Sequence, residues 1–222
     1  MHVEIYDTEE EQLDALKRWW KENGQSTIVG LVAGIAIILG WNYWQDHKKT
    51  QAGQASALYS QLIQDMVSSK KDSAEKIAER IKEQYPKTEY AAYSGLLQAK
   101  LKVQQGDMDK AKSILIEIAK GSNKELSNVA KIRLVRLMLA NGEYEKGLEL
   151  INEIDPATSS SFSGNYDELV GDLYVALDRL DQARSSYQKA FENGYKSPLL
   201  QIKIDDLTAP AKVAVEPIEI PK

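Results

Sequence analysis

Between Glu22 and Asp46 the chain carries no Asp, Glu, Lys or Arg, and residues 27–44 are nearly all apolar. A helix of that length rises about 27 Å, close to the roughly 30 Å hydrocarbon core of a bilayer. The flanks agree with this. All four tryptophans, Trp19, Trp20, Trp41 and Trp44, stand at the edges of the apolar run, where amphipathic rings favour the membrane–water interface. The pattern predicts a membrane-spanning helix over residues 25–46. A cleaved signal peptide does not fit, because small residues should then follow the run closely. The nearest such site, Ala55-Ser56-Ala57, lies beyond Asp46, Lys48 and Lys49.

Ahead of the span, residues 1–24 predict a short amphipathic helix. Thr8 and Glu11 form a capping box, Leu13, Leu16 and Trp20 share a face, and Gly24 is a stop signal. Such a helix rests at the interface or docks on a partner.

Beyond the span, apolar residues recur at intervals of three and four, as at Val129, Ile132, Val135 and Leu139, which is the helical period. Polar breaks such as "YPKTE", "QQGDMD", "NGEYE" and "LDRLD" divide this part into helices of about 10–18 residues. Thr88, Asn123, Asp181 and Ser197-Pro198 are start signals. Three breaks align. "GDMDKA", "GEYEKG" and "DRLDQA" end at Ala111, Gly147 and Ala183, 36 residues apart both times. Ala99, Val135 and Gly171 stand twelve residues before them, and a poorer fourth unit is marked by Ala74, Ala78, Ile81 and Pro86. The spacing resembles the tetratricopeptide repeat, a helix–turn–helix unit of about 34 residues. The expected fold is therefore all-α, with a single N-terminal transmembrane helix followed by a repeat-like solenoid over residues 47–207. Three prolines in the closing stretch prevent a helix, so residues 208–222 are expected to form a disordered tail.

Charge narrows the function. Residues 50–222 hold 23 basic and 25 acidic side chains, so no basic face points to nucleic acid. There is no cysteine, and both histidines, His2 and His47, stand ahead of the aligned repeat units. No triad, His-based metal site or phosphate loop can be assembled there, and no cofactor is implied. Carboxylate pairs such as Glu143/Glu145 and Asp205-Asp206 suit turn caps. Binding, not catalysis, is the expected work. A solenoid leaves a concave face for a partner, and in the repeat pattern its first helices would place Tyr93, Lys100, Arg136, Asn165, Glu168 and Asp172 there. In the span, Gly30 and Gly34 form a small-xxx-small pair that would admit a second membrane helix. Lys17, Arg18 and Lys21 precede the span, against Lys48 and Lys49 after it. That bias favours a cytoplasmic N-terminus.

"YDTEEEQLDALKRWWKENG", the Gly-rich span ending in "GWNYWQ", the repeats and the closing "SPLLQIKIDDL" together resemble the YfgM family over residues 4–207. These are bacterial inner-membrane proteins described as ancillary subunits of the Sec translocon. The resemblance implies a cytoplasmic N-terminus, a periplasmic repeat domain, and three kinds of partner: the SecYEG channel, a membrane-anchored isomerase-like chaperone and exported clients. It implies scaffolding of chaperones or holding of clients. The alternative is a membrane-anchored repeat adaptor for another envelope complex, in cell-wall synthesis or cytochrome maturation. The Pro-rich extension after Leu207 departs from the family pattern.

Overall fold

A computed structural model describes residues 9–154 and 163–208. Among them there are nine helices and no strand, as the apolar period predicts. The first, α1, runs Glu9–Val67, far longer than the helices expected from the breaks. It does not stop at Gly24. One internal glycine costs a helix only about 1 kcal/mol, and the Trp20 ring packs where a Gly24 side chain would begin. No break falls at 24–25 or 46–47. The chain divides into two compact units between Gln54 and Ala55, within α1. Thr8 and the expected tail over 209–222 lie outside the described residues.

In the first unit the apolar stretch is left uncovered by the described residues. Ile28, Val29, Leu31, Val32, Ile37 and Leu39 are all more than half exposed. Among the described residues this is the one helix long and apolar enough to cross a membrane. Six such neighbouring side chains are stable only where lipid or another helix covers them.

The second unit joins the last turns of α1 to α2 (Lys71–Gln84), α3 (Glu89–Gln104), α4 (Met108–Ala119), α5 (Lys124–Ala140), α6 (Tyr144–Asn152), α7 (Ser163–Ala176), α8 (Leu180–Glu192) and α9 (Pro198–Thr208). From α2 onward each helix packs on its neighbours in the chain, and α3, α5 and α7 also touch in succession. That is the nearest-neighbour packing of a solenoid. The core is correspondingly a row of small clusters. Leu62, Ile81 and Leu101 centre the first, Leu115 and Leu134 the second, Ile151 and Leu173 the third, and Tyr187 and Leu200 the last.

The 36-residue spacing reappears in the backbone. Gly106, Gly142 and Asp178 adopt left-handed φ values of 82, 78 and 58°, the conformation that ends a helix and reverses the chain. After each, the next amide bonds back five residues: Asp107 to Lys102, Glu143 to Met138 and Arg179 to Tyr174, at 2.8–2.9 Å. Only the third turn uses a residue other than glycine, and aspartate tolerates this region better than most. Ser69 makes the equivalent turn for the poorer first unit, with Lys70 bonding back to Asp65.

The small residues behave as the repeat requires. Ala111 and Ala183 are fully buried and Gly147 is buried. A Cβ on Gly147 would lie 2.9 Å from Leu173 Cδ2, and one on Gly171 only 2.2 Å from Tyr187 Cε1. Caps follow in part. The Asn123 side chain accepts from the Leu126 amide, and the Ser197 hydroxyl accepts from the Leu200 amide. Thr88 occupies the cap position of α3 but donates its hydroxyl to the Tyr85 carbonyl. Asp181 is not a cap. The left-handed turn at Asp178 starts α8 two residues earlier, with Arg179 at the cap, and Asp181 pairs with Arg184 in the first turn.

Candidate functional site

The first helices of successive units, α3, α5 and α7, carry all six residues expected to line a groove. Register explains why three of them correspond. Lys100, Arg136 and Asp172 stand one repeat apart, 36 residues each. The structure brings the first two together and sets the third in different company.

Lys100 on α3 and Arg136 on α5 are exposed and share a pocket of about 330 Å³ with Arg133. Its apolar lining includes Leu97, Val103 and Leu137. Arg133 points one guanidinium N–H at the Leu96 carbonyl, at 3.1 Å. Burial, then the neighbouring Arg136 charge, pushes the Arg133 guanidinium below its ordinary value. Among the described residues, none of these three cations forms an ion pair. Elsewhere the half-buried cations do: Lys102 with Glu75 at 2.5 Å, Lys131 with Glu153 at 3.3 Å and Lys112 with Glu143.

Tyr93 belongs to an aromatic triangle rather than to the pocket lining. Its ring centroid is 6.0 Å from those of Tyr59 and Tyr90, which are 5.6 Å from each other. Tyr59 comes from the last turns of α1. Burial and the neighbouring Tyr93 raise its phenol above the ordinary range, and the Arg133 charge opposes that rise. Sequence reasoning missed Tyr59, Tyr90 and Arg133. Arg133 had a signal, since it precedes Arg136 by one helical turn. Tyr59 had none, because it belongs to the groove only once the end of α1 serves as a first helix.

At the other end Glu168 and Asp172 on α7 are partly buried and engaged. Lys203 of α9 donates to both, at 2.9 and 2.6 Å, and the Tyr187 hydroxyl donates to Asp172 at 2.7 Å. Burial works against the Lys203 charge, but the bonds to Asp172 and Glu168 outweigh it and raise the ammonium. Asn165 lies on the same helix, partly buried. Nearby, the buried Asp167 accepts from Asn193 and pairs with Lys189. Here α9 fills the place a further first helix would take, so the carboxylates are satisfied within the chain.

Gly30 and Gly34 lie open along α1, with nothing within 4 Å of a Cβ added at either. The described residues contain no cluster of three or more metal-ligating side chains.

The family model described as a tetratricopeptide repeat-like domain matches residues 17–209. An ancillary SecYEG translocon subunit of Haemophilus influenzae is 31% identical over 206 residues, covering 91% of this chain and 99% of the relative. The chain belongs to this family. A member from Aggregatibacter actinomycetemcomitans is 32% identical over 202 residues, covering 90% of the chain and 97% of the relative. The Escherichia coli member is 27% identical over 213 residues, covering 93% and 100%. The similarity takes in both the apolar helix and the repeats, so the family joins one membrane-length helix to a repeat domain.

Proposed function

We propose that this protein is a non-enzymatic, single-pass inner-membrane subunit that accompanies the SecYEG channel. Its N-terminus lies in the cytoplasm and its repeat domain in the periplasm, where the domain scaffolds a membrane-anchored isomerase-like chaperone or holds exported clients. The observation that carries the reading is similarity to ancillary translocon subunits along nearly the whole chain. The uncovered apolar stretch of α1 supports the anchor, and the three basic residues ahead of it favour the orientation. Division of labour follows from the two units. The anchor, with Gly30 and Gly34 on a face open to close packing, sets residence at the channel. The groove sets which periplasmic protein is held.

Pull-down of the full-length chain from detergent-solubilised membranes tests this. Channel subunits are expected to co-purify, and Gly30→Ile with Gly34→Ile is expected to weaken that recovery. Recovery of cell-wall synthesis or cytochrome-maturation proteins instead of the channel would overturn the reading. Topology is tested separately. A cysteine at Lys120 is expected to react with an impermeant thiol reagent in spheroplasts, and one at Glu4 is not.

A further inference from the structure

We infer that the pocket between α3 and α5 receives an apolar side chain flanked by carboxylates, supplied by an acidic–apolar segment of a partner protein. It deepens the proposed function and rests on the repeat domain being a docking surface. Three observations carry it. The pocket is lined by Leu97, Val103 and Leu137, so its floor suits an aliphatic side chain. Its rim carries Lys100, Arg133 and Arg136, and among the described residues no carboxylate pairs with them. Arg133 is also partly buried, and among the described residues its guanidinium bonds only to the Leu96 carbonyl. A guanidinium has five N–H donors, and those not on Leu96 stay open to a partner. A partly desolvated cation is favoured by an anion beside it. Arginine also matches a carboxylate with two parallel bonds.

Charge complementarity therefore selects the occupant. A neutral apolar segment would leave Arg133 and Arg136 desolvated and unpaired, and a basic one would be repelled. The rim charges come from both walls, Lys100 on α3 and the two arginines on α5, so acidic residues on both sides of the apolar one are accommodated.

The test uses the full-length chain in nanodiscs of zwitterionic lipid. The probe is a nine-residue peptide of alternating leucine and glutamate carrying an uncharged dye, followed by fluorescence anisotropy. Binding is expected to weaken about tenfold when Arg133→Gln and Arg136→Gln are combined, the size of effect that charge-assisted bonds produce. Lys100→Gln alone, at an exposed site that keeps the fold, is expected to weaken it about threefold, and higher salt is expected to weaken it further. Lys82→Gln, whose cation already pairs with Glu117 outside the pocket, is expected to change it less than about twofold.

Equal binding of a peptide with glutamine for glutamate would overturn the inference. So would an effect of Lys82→Gln as large as that of the arginine pair, or no binding of the acidic peptide at all. About tenfold tighter binding after deletion of residues 209–222 would overturn it as well, because the chain's own Glu216 and Glu219 segment would then be the occupant. Channel co-purification with the unchanged chain separates the two proposals. If that chain binds no acidic peptide while the channel still co-purifies with it, the pocket assignment alone falls.

Discussion

Lys100, Arg136 and Asp172 occupy one register position in three successive repeats, yet the first two face an open pocket and the third is bonded inside the fold. The backbone around them is nearly the same. Each stands on the first helix of its unit, six residues before a left-handed turn at Gly106, Gly142 or Asp178. What differs is the neighbour. Around Lys100 and Arg136 no ion pair forms among the described residues, whereas α9 lays Lys203 across Asp172 and Glu168. Repeat position therefore sets where a side chain can point, and the next element decides whether it serves stability or a partner. In this domain the acidic end is closed and the basic end is left open.

Substitutions can break or sharpen that contrast, and the largest effect belongs to the closed end. Tyr187 is almost fully buried, packs against Gly171 and anchors Asp172. Tyr187→Ala is expected to cost about 3–5 kcal/mol, measured by urea unfolding of the detergent-solubilised chain with far-ultraviolet circular dichroism. A loss below about 1 kcal/mol would mean that α7, α8 and α9 do not close around this ring.

Next come Ala111→Leu and Ala183→Leu. Both residues sit where paired helices approach most closely, one toward each end. Each is expected to cost about 1–3 kcal/mol through overpacking. Similar losses would confine the contrast to the groove face. A loss at only one end would break the equivalence of the repeats.

Lys203→Met should cost less, about 1–3 kcal/mol at most, since Asp172 keeps the Tyr187 hydroxyl. The same cluster predicts a pH dependence. Burial, then the bond to Asp172, raises the Tyr187 phenol, and the two carboxylates raise Lys203 despite its burial. Folded values raised above the ordinary 10.0 and 10.5 give stability that is complete below those values. It is lost as pH climbs through the folded ones. The urea midpoint is expected to fall as pH rises above about 10, and to fall less in Tyr187→Phe with Lys203→Met. An equal fall in that variant would remove the cluster as its source.

Smallest of all is the open end. Arg136→Gln is expected to leave stability within about 0.5 kcal/mol, because the side chain is exposed and has no carboxylate partner to lose. Destabilisation above about 1 kcal/mol would show that the pocket is part of the fold rather than a surface kept for binding.

The sequence made the helices and their pairing legible because both depend on local, periodic signals. Apolar spacing placed α3 to α8. The aligned small residues Ala111, Gly147 and Ala183 marked the close approaches, and Gly106 and Gly142 marked the turns. The length of α1 was less legible. Gly24 reads as a stop in isolation, but the helix runs through it. The pocket was legible only in part. Lys100 and Arg136, which line it, could be singled out, but Arg133 could not, and nothing local indicated that Glu168 and Asp172 would be engaged.

By itself, then, the sequence determined an apolar helix of membrane length and a 36-residue helical repeat, because hydrophobic period, glycine turns and small contact residues act within one or two helices. Only the tertiary structure decided which charges are spent and which are left over. Lys203 meets Asp172 across 31 residues of chain, whereas Arg133 and Arg136 meet no carboxylate at all among the described residues. Pairing between charges so far apart in sequence depends on how the last helix closes the stack, and no local pattern encodes that distance.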